Sequence, residues 1–335
     1  MAHHGLRMRI LIVRLGAFGD IVHTLPLAAD LQSAGHDVHW LCEDRWSCLL
    51  EGSPAIAGLH RLPRRVLRTA PWPRRVSTFY RLVREVRDRS YDLVIDAQGL
   101  AKSGLLSTLA GADGRVAHAP PRGRELSWLG AQHQVVTSSV HVIDQQRDLS
   151  RAIGVTPAGP WRFPLPAWNT ERAWAAGWLA ERGLRRPWLL NVGAGWPTKV
   201  WPEERLAACA KACATRPFLL LWGGPGEREV ATRISVATGA ALAPDTTIPQ
   251  LAGLLSQAGV LISGDTGPLH LARALDTPAV GLFGPVPRER NGPQGDRWLN
   301  LQAPGAAWER RDISKVDMGA ISVTDVISAA GAVAR

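Results

Sequence analysis

Cysteine is scarce: Cys42, Cys48, Cys209 and Cys213 are the four in 335 residues, and none of them forms a CxxC pair. Cys209 and Cys213 fall one helical turn apart. This spacing speaks against a zinc site and leaves thiols in a reducing cytoplasm as the default. Long apolar runs are missing too. None reaches the roughly 18 residues of a spanning helix, and the run within MAHHGLRMRILIVRLG, broken by Arg14, is too short for a signal-peptide core. The expectation is a soluble or peripheral cytoplasmic protein, with residues 1–7 a start-site extension and Met8 an alternative start. No GxGxxG occurs near the amino terminus, so a dinucleotide fingerprint fits poorly, and no Asp-x-Asp pair offers itself to a metal. Acidic residues are outnumbered, 29 against 39 Lys and Arg, for a net charge of +10 and a pI near 10.4. Such an excess favours anionic partners: nucleic acid, phosphorylated sugars or a membrane surface. An arginine-rich, solubilising surface has the same composition.

With 46% hydrophobic and 20% charged residues, the chain is of ordinary globular composition. Its length suits two domains of about 150 residues each. The stretch RILIVRLGAFGDIVHTLP, Arg9 to Pro26, reads as a buried parallel strand, a turn bracketed by Gly16 and Gly19, and a helix over Ile21 to Ala34 closed by Gly35. Helix amides exposed at such a turn favour anions, and glycines let a ligand approach the backbone. Asp20 stands there either as an N-cap or as a carboxylate facing substrate. His36 to Leu41 completes a βαβ unit, and Gly58 to Leu62 is a short third strand. Then come Arg61, Arg64, Arg65, Arg68, Arg74 and Arg75, six arginines in fifteen residues. With Pro63, Pro71 and Pro73 among them, a basic mobile loop is expected before a helix over Val76 to Arg89. It is an anion-recognition surface or a solvated basic face. Tyr91 to Asp96 is the next strand, placing Asp96, Gln98 and Lys102 at the sheet edge where α/β proteins bind ligands, although Gln98 can equally tie down the turn. Between Gly114 and His141 the pattern weakens, with Arg122, Arg124, His133 and His141 scattered through it.

Residues Thr156 to Thr170, TPAGPWRFPLPAWNT, read as a linker. Beyond a helix over Glu171 to Gly183 the alternation starts afresh, with strands at Trp188–Val192, Phe218–Trp222, Val260–Ser263 and Ala279–Phe283. This organisation predicts an α/β protein of two Rossmann-like domains with parallel sheets facing across a cleft, divided at about 1–160 and 161–335. The last helix, Ser322 to Ala334, opens with a Ser-x-x-Asp box and is a candidate to pack back on the first domain. Three strand ends of the second half carry chemistry. NVGAGWPTKVWPEE offers the amides of Gly193 to Gly195 and the charge of Lys199; LLLWGGPGERE opens a helix with Glu227; LISGDTGPLHLARAL brings Asp265, Thr266, Pro268 and His270 to a helix start. Each has a plain structural explanation as a surface lysine, a cap or a packed turn. Together at one sheet edge they make a phosphate site.

In order and spacing, ILIVRLGAFGDIVHTLP, YDLVIDAQGLAKS, KVWPEE, LWGGPGERE and SGDTGPLHLARAL resemble the signatures of the ADP-heptose:lipopolysaccharide heptosyltransferases, glycosyltransferase family nine, over nearly the whole chain. DAQGLAKS is most similar to the members that act first, on Kdo of lipid A. The resemblance implies a GT-B fold and an inverting, metal-independent heptosyl transfer with no cofactor. It implies Asp20 as general base and Lys199 at the donor phosphates. Gly19, Gly193, Ala194, Asp265, Thr266 and Gly267 would bind the donor, closed by His270, with Glu227 at its ribose. Arg64, Arg65, Arg68, Gln98 and Arg124 would meet an anionic Kdo–lipid A acceptor. A monomer, peripheral on the inner membrane's cytoplasmic face and without nucleic acid, is implied as well. Two departures stand out: NVGAG replaces the family's His-Pro-Gly-Ala, and Trp196 has no counterpart. A transferase with another sugar donor or acceptor, a nicotinamide oxidoreductase using Glu43, and a non-catalytic binder of anionic glycolipid or nucleic acid are the rivals.

Overall fold

The computed structural model describes residues 7–212, 216–307 and 316–334, so Cys213 and most of the proposed start-site extension lie outside the described residues. The chain divides into two compact units, Met1–Ala167 and Trp168–Arg335.

The first unit runs β1 (Arg9–Val13), α1 (Phe18–Ser33), β2 (Asp37–Glu43), β3 (Gly58–Leu62), α2 (Arg64–Thr69), α3 (Trp72–Arg87), β4 (Leu93–Asp96), α4 (Ala101–Leu109), β5 (Gly114–His118), β6 (His133–Val135) and α5 (Val142–Arg147). Its six strands are parallel, in the order β3-β2-β1-β4-β5-β6. Ile10 to Val13 are fully buried because helices cover both faces of a parallel sheet, which is why β1 reads as an unbroken apolar run. Gly35, left-handed at φ +88°, closes α1: its N–H reaches Gln32 O while that of His36 reaches Leu31 O.

The expected basic loop is instead two helices. Pro63 caps α2 from outside and Pro73 stands in the first turn of α3, where a missing N–H costs nothing and the ring's fixed φ suits the helix. β5 and β6 lie in the stretch where the pattern weakens. They are short, and the loop between them is held by buried Arg115, which donates to Thr108 Oγ1 and to the carbonyls of Ser127 and Leu129.

The second unit runs α6 (Asn169–Ala180), β7 (Trp188–Asn191), α7 (Glu203–Ala212), β8 (Phe218–Leu221), α8 (Pro225–Thr238), β9 (Ala241–Leu242), α9 (Ile248–Gln257), β10 (Val260–Gly264), α10 (Gly267–Ala274), β11 (Ala279–Phe283), α11 (Arg288–Asn291), β12 (Trp298–Gln302) and α12 (Val323–Val333). Its parallel order, β12-β11-β10-β7-β8-β9, repeats the first unit's topology. α12, capped by Ser322, buries Val326, Ala329, Ala330 and Val333 in this unit's core. The segment read as a linker is fastened to the first unit up to residue 167. Arg147 holds Asp30 with both nitrogens and the carbonyl of Ala158, Trp161 donates to Asp144, and Ser53 donates to Pro164 O. In both units the strand order reverses beside the first strand, between β1 and β4 and between β7 and β10, and ligands of such sheets sit at that crevice.

Candidate active site

At the first switch point β1 leads through Arg14 and Leu15 to α1. Asp20 is not the N-cap; Ala17 is, and Asp20, two residues on from the first helical position, takes the Ala17 N–H on Oδ2 at 3.2 Å. α1 therefore begins earlier than expected and encloses Gly19 in its first turn. The same Oδ2 receives the Arg14 guanidinium at 2.7 Å, while the Asp20 side chain stays 42% exposed. Arg14 is buried and donates its other terminal nitrogen to Ala97 O. A buried arginine at the end of an apolar strand cannot lie unpaired, and this one ends beneath the acid. Gly16 has no room for a side chain: a Cβ there would stand 2.7 Å from the Trp46 indole nitrogen.

Gln98 ties this turn to β4, its Oε1 accepting from Leu15 N at 3.0 Å and Gly16 N at 3.4 Å. Asp96 does not reach the site. It is fully buried and brackets the β4–α4 turn, accepting from the amides of Gln98 and Gly99 and from Ser103 Oγ. Burial raises its pKa against the pull of those bonds. At the end of β2, buried Glu43 gathers Arg64 at 2.8 Å, Arg45 at 3.0 Å and Lys102 at 3.6 Å. Three cations round one acid leave a positive surplus. Arg65 and Arg68, exposed on α2, add to it with no ion-pair partner among the described residues. Arg124 is exposed, and its backbone N–H holds Gly99 O, which sets it one residue from Gln98.

At the second switch point the roles of acid and cation are exchanged. Asp265, after β10, is 3% exposed and fully engaged: Lys199 Nζ at 2.5 Å, His270 Nε2 at 3.2 Å and Asn291 Nδ2 at 3.4 Å. Burial opposes its ionisation, but the His270 hydrogen bond and the charges of His270 and Lys199 outweigh burial and hold the carboxyl far below its usual range. Lys199 also donates to Asp265 O, and its ammonium lies 6.0 Å from the Trp196 ring, which gives that residue a place. Buried Asn191, at the end of β7, donates to Gly193 O, Ser263 Oγ and Thr266 Oγ1. It holds the β7 and β10 turns together. Thr266 caps α10 with no side-chain bond to the helix, and the amides of Thr266 and Gly267 at its first turn make no hydrogen bond among the described residues. Glu227 occupies in α8 the position Asp20 occupies in α1: it accepts Gly223 N at 2.7 Å, and its carboxylate fills the space a Cβ on Gly193 would need. Ala194 and the exposed Gly195 follow in the same turn.

The structure thus brings Gly19, Asp20, Gln98, Arg64 and Arg124 to the carboxyl edge of the first sheet, and Gly193, Ala194, Lys199, Glu227, Asp265, Thr266, Gly267 and His270 to that of the second. The residue types missed in the sequence are Arg14, Asn191 and Asn291. Arg14 carried a signal, a charge at the end of a buried strand; the two asparagines carried none. Among the described residues no group of three or more His, Cys, Asp or Glu side chains is placed to hold a metal. Nor is any helix there long and apolar enough to cross a membrane.

Residues 79–317 match the family model described as glycosyltransferase family 9 (heptosyltransferase). The lipopolysaccharide heptosyltransferase 1 of Pseudomonas aeruginosa is 31% identical over 307 residues, 88% of this chain and 83% of that protein. Among solved structures, the E. coli heptosyltransferase WaaC with ADP-2-deoxy-2-fluoro heptose superposes with a TM-score of 0.76 at 25% identity, covering 96% of this chain and 98% of that one. A family 9 glycosyl transferase from Veillonella parvula does so with a TM-score of 0.87 at 20% identity, covering 100% and 99%. The fold is the GT-B fold of these transferases. On these matches the chain belongs to glycosyltransferase family 9, the heptosyltransferases.

Proposed function

We propose that this protein transfers heptose from ADP-heptose to a Kdo sugar of the lipopolysaccharide inner core, with inversion and without a metal ion. The acceptor hydroxyl gives its proton to Asp20 as its oxygen attacks the anomeric carbon, and the bond from that carbon to the diphosphate breaks as ADP leaves. Lys199, oriented by Asp265 and His270, and the open amides of Thr266 and Gly267 neutralise charge on the leaving group. Glu227, with one oxygen held by Gly223, offers the other to the vicinal hydroxyls of the donor ribose. Arg64, Arg65, Arg68 and Arg124 receive the acceptor's anionic groups. A monomer at the cytoplasmic face of the inner membrane, with no nucleic-acid partner, suits a lipid-linked acceptor.

The observation that carries this reading is Asp20: an accessible carboxylate with one oxygen fixed by a buried arginine and a backbone amide, and the other open. The relatives support the sugar and the acceptor, since they are lipopolysaccharide heptosyltransferases by name and WaaC is described with an ADP-heptose analogue. Transfer from ADP-heptose to Kdo–lipid A, measured in the presence of a chelator, tests it. Product from the wild type, reduced about a hundredfold or more in Asp20→Ala, is the expected result. If ADP-heptose binds but no product forms, the acceptor is wrong; failure to bind ADP-heptose overturns the donor.

A further inference from the structure

We propose that the outer face of α3 docks the protein on a bilayer containing anionic phospholipid. The helix has two apolar faces. One is satisfied: Leu82 and Val86 are buried in the first unit's core and Phe79 packs against it. The other is bare. Trp72, Val76 and Tyr80, spaced four residues apart and so aligned along one side, are 70%, 46% and 67% exposed. Arginines border this stripe. Arg75 lies 5.8 Å from the Trp72 ring and exposed Arg84 follows Tyr80 by one turn, while Arg74 and Arg81 are exposed on the side of the helix away from the stripe.

Charge decides the occupant. From Arg64 to Arg87 the chain carries eight arginines and a single acid, Glu85. Glu85 accepts from His60 at 2.6 Å and Asp88, the next acid, pairs with Arg84 at 3.8 Å, so eight arginines face two acids from Arg64 to Asp88. A face built from tryptophan, valine and tyrosine between guanidinium groups matches a bilayer interface, where aromatic rings lie at headgroup depth and arginines meet lipid phosphates. A nucleic acid would leave Val76 without a partner, and a protein partner would meet an apolar centre hemmed by charge, where interface cores are depleted of it. The surface is continuous in sequence with α2, whose Arg64 is anchored on Glu43 at the edge of the candidate active site. Docking does not depend on the transfer reaction, since the stripe of α3 includes none of the residues placed at the candidate active site.

The full chain is sedimented with vesicles of phosphatidylethanolamine containing about one quarter phosphatidylglycerol, and with vesicles of phosphatidylcholine alone. The wild type is expected to bind the anionic vesicles more tightly than the zwitterionic ones, and less tightly in high salt. The pairs Trp72→Ser with Tyr80→Ser, and Arg75→Glu with Arg84→Glu, should each weaken binding about tenfold or more, with thermal midpoints nearly unchanged because these side chains lie on the outer surface of the helix. Val236→Ser, which removes an equally exposed apolar residue on α8, should bind as the wild type does. Undiminished binding by either pair overturns the proposal, as does an equal loss in Val236→Ser. Competition by duplex DNA that shows the same dependence on Trp72 and Tyr80 overturns it in favour of a nucleic-acid surface.

Discussion

The two units share one topology and place an acid and a cation at the same point of it, yet use them in opposite ways. In the first, the cation is buried and the acid accessible: Arg14 lies under Asp20 and fixes one of its oxygens. In the second, the acid is buried and the cation is the more exposed partner: Asp265 is enclosed by Lys199, His270 and Asn291. A buried ion fixes the geometry of its accessible partner. On the function proposed above, a Rossmann-like switch point then serves either as a base or as an anion site, according to which member of the pair the core takes in.

The comparison is tested most severely by removing the acid from each side. Asp20→Asn should lower kcat by about 10²–10⁴, its largest effect, and lower the thermal midpoint as well, because it leaves buried Arg14 without its carboxylate. Asp265→Asn should show the reverse emphasis. Breaking a buried, hydrogen-bonded ion pair leaves Lys199 uncompensated and costs the second unit about 3 kcal/mol or more, visible as a lowered unfolding transition even without substrate. An Asp20 variant of undiminished kcat, or an Asp265 variant that melts like the wild type, would break the contrast.

Acid sharpens the same contrast at somewhat smaller cost. The histidines displaced by burial, His36, His39 and His118, all belong to the first unit. Burial, with Arg122 nearby, pushes the His118 imidazole from 6.5 down to about 3. Between those values the unfolded chain binds a proton that the folded chain refuses, so stability falls as pH drops below 6.5. At pH 5 this amounts to about 2 kcal/mol for His118. Asp265 behaves differently: its depressed pKa contributes stability above the ordinary carboxylate value of 3.8, and that stability is lost only as pH falls through and below it. Hydrogen exchange at pH 5 should therefore show the first unit opening before the second, and His118→Asn should narrow the gap. Equal protection of both units at pH 5 would refute this ordering.

How much of this was legible beforehand follows from what periodicity can carry. β1, β4, β7, β10 and β11 are enclosed on both faces, and their apolar runs announce them. β9 has two residues and β6 three, partly exposed, too short to imprint a pattern. Prolines 63, 71 and 73 read as breakers because their effect depends on position within a turn, and only the structure sets them at helix starts. At the site, Asp20, Lys199, Glu227 and the Asp265–Thr266 pair stand out as candidates in the sequence because each follows a strand that ends in a glycine-containing turn. Asp96 looked equivalent, but Ser103 and two turn amides claim its carboxylate. Nothing in a sequence reports which hydrogen bonds a side chain has already made. Asn191 and Asn291 escaped notice for the same reason, as partners whose role exists only through the groups they join.

The finest test compares two acids in the same local position. Asp20 and Glu227 both stand third in their helices and both fold back on a turn amide, Ala17 N and Gly223 N. A pure capping role would make their substitutions alike, each a loss of about 1 kcal/mol in stability. Their surroundings differ, however. Asp20 rests on the Arg14 guanidinium, whereas Glu227 lies against Gly193, in the turn proposed to meet the donor. Glu227→Gln should therefore raise KM for ADP-heptose about tenfold, near 1.4 kcal/mol of binding, with kcat held, because an amide keeps the shape but accepts ribose hydroxyls less strongly than a carboxylate. Asp20→Asn should move kcat and leave the donor KM in place. If Glu227→Gln lowers kcat instead, the acid acts on the reacting atoms rather than on the nucleotide, and the division of labour between the two helix starts fails.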